Sequence, residues 1–384
     1  MKLNKALSPL GVAGTYLKYR LVQPLVKRPF LPRRLVLYVT YRCNAQCIMC
    51  GIWENNASYP EAVELSLQEL DQILADRLFS KIESLNINGG ELSLRKDLPE
   101  MIQTAVNRLP ALREISMNSN GFLTNRIVDQ VKQIKQICDP KKIVFAVSIS
   151  VHGLSDVDDK VYGIKGTFDK QIKTITALQE IASQGNFELG LACVIMNENV
   201  NELQPLLQWA NEKQLNIRFS VVEKRDRFSN LDKGEPFEID ASHKDAVIEF
   251  IRERSYPQGL LNTSAYGYDY LANLLQYNQV RTMACGYSLG GVILGSQGEL
   301  YYCPHDVEIG NCKDKSAYDI YYDPHNLEHR NSSLIQQECL HCPPKYSGDL
   351  AIQADAFQYM KFYITSHSRR KQNSSTRRKN LPGS

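Results

Sequence analysis

The 384 residues suffice for one large α/β domain with a small appendage, or for two ordinary domains. An apolar share of 43% and a charged share of 23% are those of a globular chain, and no apolar run approaches the roughly 18 residues that a membrane span needs. The weakly apolar start, "MKLNKALSPLGVAG", is not a secretory signal, so the sequence reads as cytosolic. Ten cysteines in a reducing compartment then point to metal ligands, reactive thiols or core filling, not to disulfides. The net charge of +3 is unevenly laid out. Residues 1–53 hold nine Lys/Arg and no acid, residues 367–384 hold six more and no acid, and 54–366 hold 30 basic against 42 acidic residues. Basic ends on an acidic body suit an anionic carrier, a lipid surface or an acidic protein, and the simplest reading of 367–384 is a solvated, disordered tail. The interleaved aromatics of a nucleic-acid binder are missing, so no nucleic-acid partner is expected.

Taken in chain order, 1–33 is a basic N-terminal arm, and "RLVLYVT" (34–40) is a strand that runs into "YRCNAQCIMCGIW". Helical spacing over 65–79, strand 84–89, helix 98–109, strand and turn 113–121 and helix 124–134 follow. Next come strand 142–150, helix 169–183, strand 187–196, helix 200–213 and strand 216–222. Six βα-type repeats describe a parallel sheet with helical crossovers, too few for a closed eight-fold barrel. The expected fold is therefore α/β, a partial (β/α)6 barrel over 34–225 with its chemistry on the loops after the strands. Residues 226–282 read as a helical linker. Residues 283–350 are Gly-, Tyr- and Cys-rich with a hairpin in "LGGVILGSQGELYYCP", and 351–384 as a C-terminal helix with the basic tail.

Cys43, Cys47 and Cys50 are spaced C-x3-C-x2-C on the loop after the first strand. Three thiolates from one loop can cap three irons of a [4Fe–4S] cubane and leave the fourth iron for a ligand that is not protein. A zinc site would need a fourth protein ligand from afar, since no Cys or His lies between 51 and 137. The triplet resembles that of the radical S-adenosylmethionine (radical SAM) enzymes, and four further pieces stand in matching order. These are "NGGE" (88–91), "NSNG" (118–121), "VSISVHGLSDVDDKVYGIKGTFDK" (147–170) and "VIMNENVNEL" (194–203). The resemblance implies S-adenosylmethionine chelated at the open iron. Gly89 and Gly90 would admit its methionyl end, Glu91 would receive its ammonium or fix the loop, and Asn120, Ser148 and Ser150 would supply polar contacts. Two positions depart from the common pattern: Ser150 stands where many relatives have Asp, and Tyr162 where Arg is common.

Cys285, Cys303, Cys339 and Cys342 form a second set, with Gly298 between the first two. On bare spacing a zinc ribbon is the rival. Behind a radical SAM core the set resembles the twitch form of the SPASM domain, expected over 283–350, which implies one auxiliary [4Fe–4S] cluster. Cys138 and Cys193 read first as core fillers, and Cys312 as an alternative ligand. The implied activity is reductive cleavage of S-adenosylmethionine and hydrogen-atom abstraction from a small-molecule, glycan or lipid-linked substrate. Reduced flavodoxin or ferredoxin would donate the electron. Oxidation assisted by the auxiliary cluster is favoured, with Glu223 as base; epimerisation would need a thiol donor, for which Cys193 and Cys312 are the candidates. A peptide-modifying enzyme is the alternative, with a non-catalytic iron–sulfur protein third. The basic ends, including Lys27, Arg28, Arg33 and Arg34, are expected to make a peripheral membrane contact or to hold an acidic partner.

Overall fold

A computed structural model of the chain describes residues 9–58, 60, 63–183, 185–225, 228–233, 239–256, 263–340, 342–343 and 349–366. Its contacts divide the chain into two compact units. The described residues of 31–240 and 290–328 form one, and those of 1–30, 241–289 and 329–384 the other.

The first of these is built on a nine-stranded sheet. β1 (Arg34–Tyr38), β2 (Ser84–Asn88), β3 (Glu114–Ser119), β4 (Val144–Ser150), β5 (Phe187–Ile195) and β6 (Asn216–Val221) pair in parallel in sequence order. β7 (Gly291–Leu294) adds a seventh parallel strand on the other side of β1, and β8 (Glu299–Tyr301) and β9 (Gly310–Asn311) continue antiparallel. β6 and β9 are the edges, so the sheet is open. Helices Leu67–Leu74, Leu98–Arg108, Thr124–Cys138, Thr167–Ala182 and Leu203–Glu212 are the crossovers, as the helical periodicity leads one to expect.

Period-two alternation decides which side chains meet the helices. On β4, Phe145, Val147 and Ile149 are buried, while Ala146, Ser148 and Ser150 lie half-buried on the opposite, inner face. Asn86, Asn88, Ser116 and Asn118 share that inner face on β2 and β3. They form a polar ladder: Asn86 Nδ2 donates to Ser116 Oγ at 2.9 Å, Asn118 Nδ2 to Asn88 Oδ1 at 3.3 Å, and Asn88 to Asn86.

The structure refines several boundaries. The expected helix 65–79 ends at Leu74, and Asp76 opens a separate 3-10 turn, Arg77–Lys81, by accepting from the Leu78 N–H at 2.8 Å. A further short helix, Asp156–Tyr162, follows β4; its seven residues are too few for periodicity to reveal. The hairpin of 283–350 appears as β7–β8, yet β7 continues the barrel sheet, so 290–328 belongs to the barrel unit. Two cations expected on the basic arm are taken up by the fold. Arg33 pairs with Glu83 at 2.5 Å, and Arg34 is buried with its guanidinium 3.3 Å from Ser84 Oγ.

In the other unit the N-terminal arm is helical over 9–26: α-helix Pro9–Tyr16, π-helix Leu17–Val22 and a last turn, Gln23–Val26. Helices Ala241–Arg254 and Ser264–Tyr277, expected as a helical linker, pack on each other. The expected C-terminal helix begins at Asp349–Ala354 and resumes over 356–366. Its apolar side meets Tyr266, Tyr270, Leu274 and Met283 in one cluster. The tail 367–384 lies outside the described residues. No helix among those described is long and apolar enough to cross a membrane.

Candidate functional site

The cysteine loop leaves the C-terminal end of β1 and is held from every side by hydrogen bonds of its backbone. Gln46 N and Ile48 N donate to the carbonyls of Tyr162 and Val161 at 3.1 and 2.9 Å, which ties the loop to the end of helix Asp156–Tyr162. The Asn56 amide clamps Cys43, accepting from its N–H at 3.0 Å and donating to its carbonyl at 2.8 Å. Trp53 Nε1 donates to Cys50 O and Asn230 Nδ2 to Met49 O, each at 2.8 Å. Gly51 N donates to Phe228 O at 2.6 Å, and a Cβ on Gly51 would stand 2.1 Å from Ser229 O. Under the loop, Tyr162 is buried edge-on to Phe122, in one apolar cluster with Ala45, Cys43, Cys47 and Ile164. Its hydroxyl donates to Ser150 O at 2.6 Å.

The Gly-Gly-Glu loop docks on this frame. Gly90 N donates to Thr40 O and Glu91 N to Arg42 O, both at 2.8 Å. Cβ atoms on Gly89 and Gly90 would stand 2.2 and 2.1 Å from those same two carbonyls, so the chain itself requires both glycines. Glu91 is buried, and its carboxylate accepts from Ser93 N (3.0 Å), Ser119 Oγ (2.8 Å) and Asn120 N (2.8 Å). Of the two roles expected for Glu91, the geometry displays the one that fixes the loop. Asn120 Nδ2 in turn donates to Asn44 Oδ1 at 2.7 Å. A second frame behind β1 joins Arg95 to Glu64 at 2.9 Å and to Asp97 at 2.6 Å, with Arg42 reaching the same Glu64.

The three thiols act on one another. Burial pushes the Cys43 thiol up to about 12, with the charges of Glu91 and Cys50 adding to it. Burial raises Cys47 well above the usual range, Cys43 and Cys50 raising it further, and burial raises Cys50 while Lys233 opposes. Thiols raised in this way hold their protons, and would release them only to a cation that replaced the proton, as ligation would require. Among the described residues no group of three or more His, Cys, Asp or Glu converges on a position for a single metal ion. A cubane meets each thiolate with a different iron, so the triplet fits a cluster on the chemistry of its donors: three soft ligands, mutually close, on one pinned loop.

Residues 37–210 match the Radical SAM superfamily. Over that stretch, which holds the cysteine loop and most of the parallel sheet, the chain is similar to radical SAM domains. Among curated proteins it is similar to "Fe-coproporphyrin III synthase" of Methanosarcina barkeri, 26% identical over 47% of this chain and 41% of that protein. It is also similar to "GTP 3',8-cyclase" of Synechocystis, 27% identical over 50% and 54%. The chain spans about half the length of the curated relatives it matches. Among solved structures the fold resembles Streptococcus suis SuiB bound to its precursor peptide SuiA, with TM-score 0.55 and 16% identity over 82% of this chain and 70% of that one. It resembles anSMEcpe with bound AdoMet as well, with TM-score 0.54 and 14% identity over 90% and 99%.

The remaining candidates are dispersed. Ser148 sits opposite Asn118 on the inner face, and Ser150 lies two residues on, its carbonyl also accepting from Gln171 Nε2 at 2.7 Å. Cys193 lies on the buried face of β5, where Asn199 Nδ2 stands 3.7 Å from its sulfur and burial raises its pKa; the thiol points away from the inner face. Glu223 is held by Arg225, with His305 Nε2 at 3.0 Å. Cys312 follows edge strand β9, and burial together with Asp76, Glu299 and Glu308 pushes its pKa up to about 12. Cys138 is fully buried at its helix end, as a core filler should be. Of the second cysteine set, Cys303 belongs to the barrel unit, and Cys285, Cys339 and Cys342 to the other. There the charges of all three bear on Arg281, whose side chain hydrogen-bonds Cys339.

Residue types alone did not reveal Asn44, Asn56, Asn230, Glu64 and Arg95. The contacts that matter are mostly distant in sequence: Asn56 lies 13 positions from Cys43, Glu64 31 from Arg95, Asn44 76 from Asn120, and Asn230 reaches across 181 to Met49.

Proposed function

We propose that this chain is a radical SAM enzyme that abstracts a hydrogen atom from a polar substrate and oxidises it. The observation that carries the reading is the triplet Cys43, Cys47 and Cys50 on a loop fixed at Gln46, Ile48, Cys43 and Gly51 by hydrogen bonds. These residues would hold a [4Fe–4S] cluster and leave one iron for S-adenosylmethionine, and the pair when bound supplies the one-electron cleavage that gives a 5′-deoxyadenosyl radical. Glu91 and Asn120 keep the Gly-Gly-Glu loop and the Ser-Asn-Gly turn at a fixed distance from the cysteine loop, a preorganisation that cofactor binding rewards. Reduced flavodoxin or ferredoxin is the proposed reductant.

Asn88 and Asn118 lie towards the C-terminal ends of their strands on the inner face, beside the Ser148 and Ser150 expected to contact S-adenosylmethionine, and both are uncharged donors and acceptors. They suit a substrate read through hydrogen bonds, such as a sugar or another hydroxyl-bearing small molecule. The burial of Cys193 away from that face supports oxidation over epimerisation. An auxiliary [4Fe–4S] cluster in a twitch-type segment is proposed on the sequence spacing of Cys285, Cys303, Cys339 and Cys342 alone. The fold neighbours named for bound peptides keep a peptide substrate as the second reading.

The test is release of 5′-deoxyadenosine from the anaerobically reconstituted, reduced protein. Wild type should release it, and Cys43→Ala, Cys47→Ala and Cys50→Ala should each abolish it; release of none by wild type would leave the non-catalytic reading.

A further inference from the structure

The helical arm 9–26 and the C-terminal helix 356–366 belong to one unit, and each buries one side and exposes an apolar other side. On the arm, Tyr19 and Gln23 face inward. Tyr19 packs in a cluster with Ala284, Leu289, Ala351 and Ala354, and Gln23 Nε2 donates to Ser288 O at 3.4 Å. Arg20 completes this side by pairing with the buried carboxylate of Asp355. The opposite side presents Leu17 (53% exposed), Leu21 (50%) and Leu25 (82%), with Val22 and Val26 beside them. The C-terminal helix does the same: Tyr359 and Phe362 go into the core, and Phe357 (73%), Met360 and Ile364 (60%) stay out. Tyr16 and Phe357 meet edge-to-face at 5.4 Å, which joins the two exposed rows into one surface. Isolated exposed leucines need no explanation, but two adjoining rows in register do.

The two helical segments, 9–26 and 356–366, hold no acidic residue, and their charged side chains are all cations. Lys27 follows the last turn of the arm, Lys361 stands between Met360 and Ile364, and both are exposed. No acid occurs in residues 1–53, and the segment after the C-terminal helix is "HSRRKQNSSTRRKNLPGS", again without an acid. Apolar side chains that insert, rimmed by cations that stay at the headgroups, are the pattern of an interfacial surface. A protein partner with an acidic face would find the cations but no use for eight exposed apolar side chains.

We propose that this unit docks on an anionic lipid surface, with Leu17, Leu21, Leu25, Phe357, Met360 and Ile364 inserted. The docking would bring the chain to the membrane, where a lipid-linked substrate would be met. It does not depend on the proposed chemistry, since it is read from the other unit.

The test is flotation of the full chain with two sets of vesicles, phosphatidylcholine alone and phosphatidylcholine with phosphatidylglycerol. The chain should float with the anionic vesicles, and flotation should fall as salt is raised. Leu25→Glu and Phe357→Glu, both at exposed positions, should keep the wild-type circular dichroism and lower anionic-vesicle binding by about tenfold or more, since each removes one inserted side chain. The proposal would be overturned by no flotation with either set, equal flotation with neutral vesicles, or unchanged binding by both variants. A dimer in light scattering that Leu25→Glu dissociates would also overturn it, by showing a second copy on this face.

Discussion

Single residues explain why the cysteine loop has one conformation. Glu91 is engaged within the protein: its two oxygens take three donors from the 3-10 turn and the Ser-Asn-Gly turn. Glu91→Gln replaces one acceptor with a donor facing those donors, and should cost about 1–3 kcal/mol in denaturant unfolding. The same variant should weaken S-adenosylmethionine binding by equilibrium dialysis, because two loops lose their common brace. Wild-type stability in Glu91→Gln would show that the brace is not needed. The motif residues Gly89, Gly90, Glu91 and Asn120 were legible in the sequence, but the reason for them was not. The glycines answer to the carbonyls of Thr40 and Arg42, and Asn120 to Asn44 across 76 positions, contacts that exist only once β1, β2 and β3 are side by side. Tyr162 is the sharper case: a departure from the common Arg turns out to be the aromatic floor under Cys43 and Cys47.

At the scale of the element, the alternation of β-branched runs with amphipathic stretches made the six parallel strands and five crossover helices legible, because period and burial agree there. What escaped was short or joined at long range. β7, four residues long and entirely buried, pairs with a strand more than 250 positions earlier, and nothing local says so. Helix Leu67–Leu74 shows what a local signal can do. Ser66 Oγ accepts from Glu69 N at 3.2 Å, and Glu69 accepts from Ser66 N at 2.8 Å, a capping box, with Lys313 Nζ at 3.0 Å from the same carboxylate. The Ser66 backbone and hydroxyl, then Lys313, pull the Glu69 carboxyl down to about 2 from its ordinary 4.5. A depressed carboxylate contributes stability that is complete above pH 4.5 and lost as pH falls towards 2. Glu69→Gln should therefore be less stable than wild type at pH 7 by about 1 kcal/mol or less, since the group is partly solvated, and the gap should close as the pH is lowered through that window. A gap that stays constant with pH would contradict the capping account.

At the scale of the molecule, the sequence boundaries at 226 and 283 follow changes in composition, whereas the contact division follows the chain's returns. Residues 290–328 come back to the barrel sheet, and the N-terminal arm joins helices from 241–289 and 349–366. Composition sees neighbours in sequence, so it could not assign the basic arm to the C-terminal helix or Arg33 to Glu83. The account of the whole rests on the loop at 43–50 as the place where S-adenosylmethionine meets iron. The most direct measurement is the electron paramagnetic resonance spectrum of the reduced, reconstituted protein before and after S-adenosylmethionine is added. It should be taken on Cys43→Ala/Cys47→Ala/Cys50→Ala and on Cys285→Ala/Cys339→Ala/Cys342→Ala. The second variant should keep a cluster signal that S-adenosylmethionine shifts, and the first should show no signal that responds to it. A shift on adding S-adenosylmethionine that survives in the first variant would contradict the account, because the cofactor would then bind iron somewhere other than this loop.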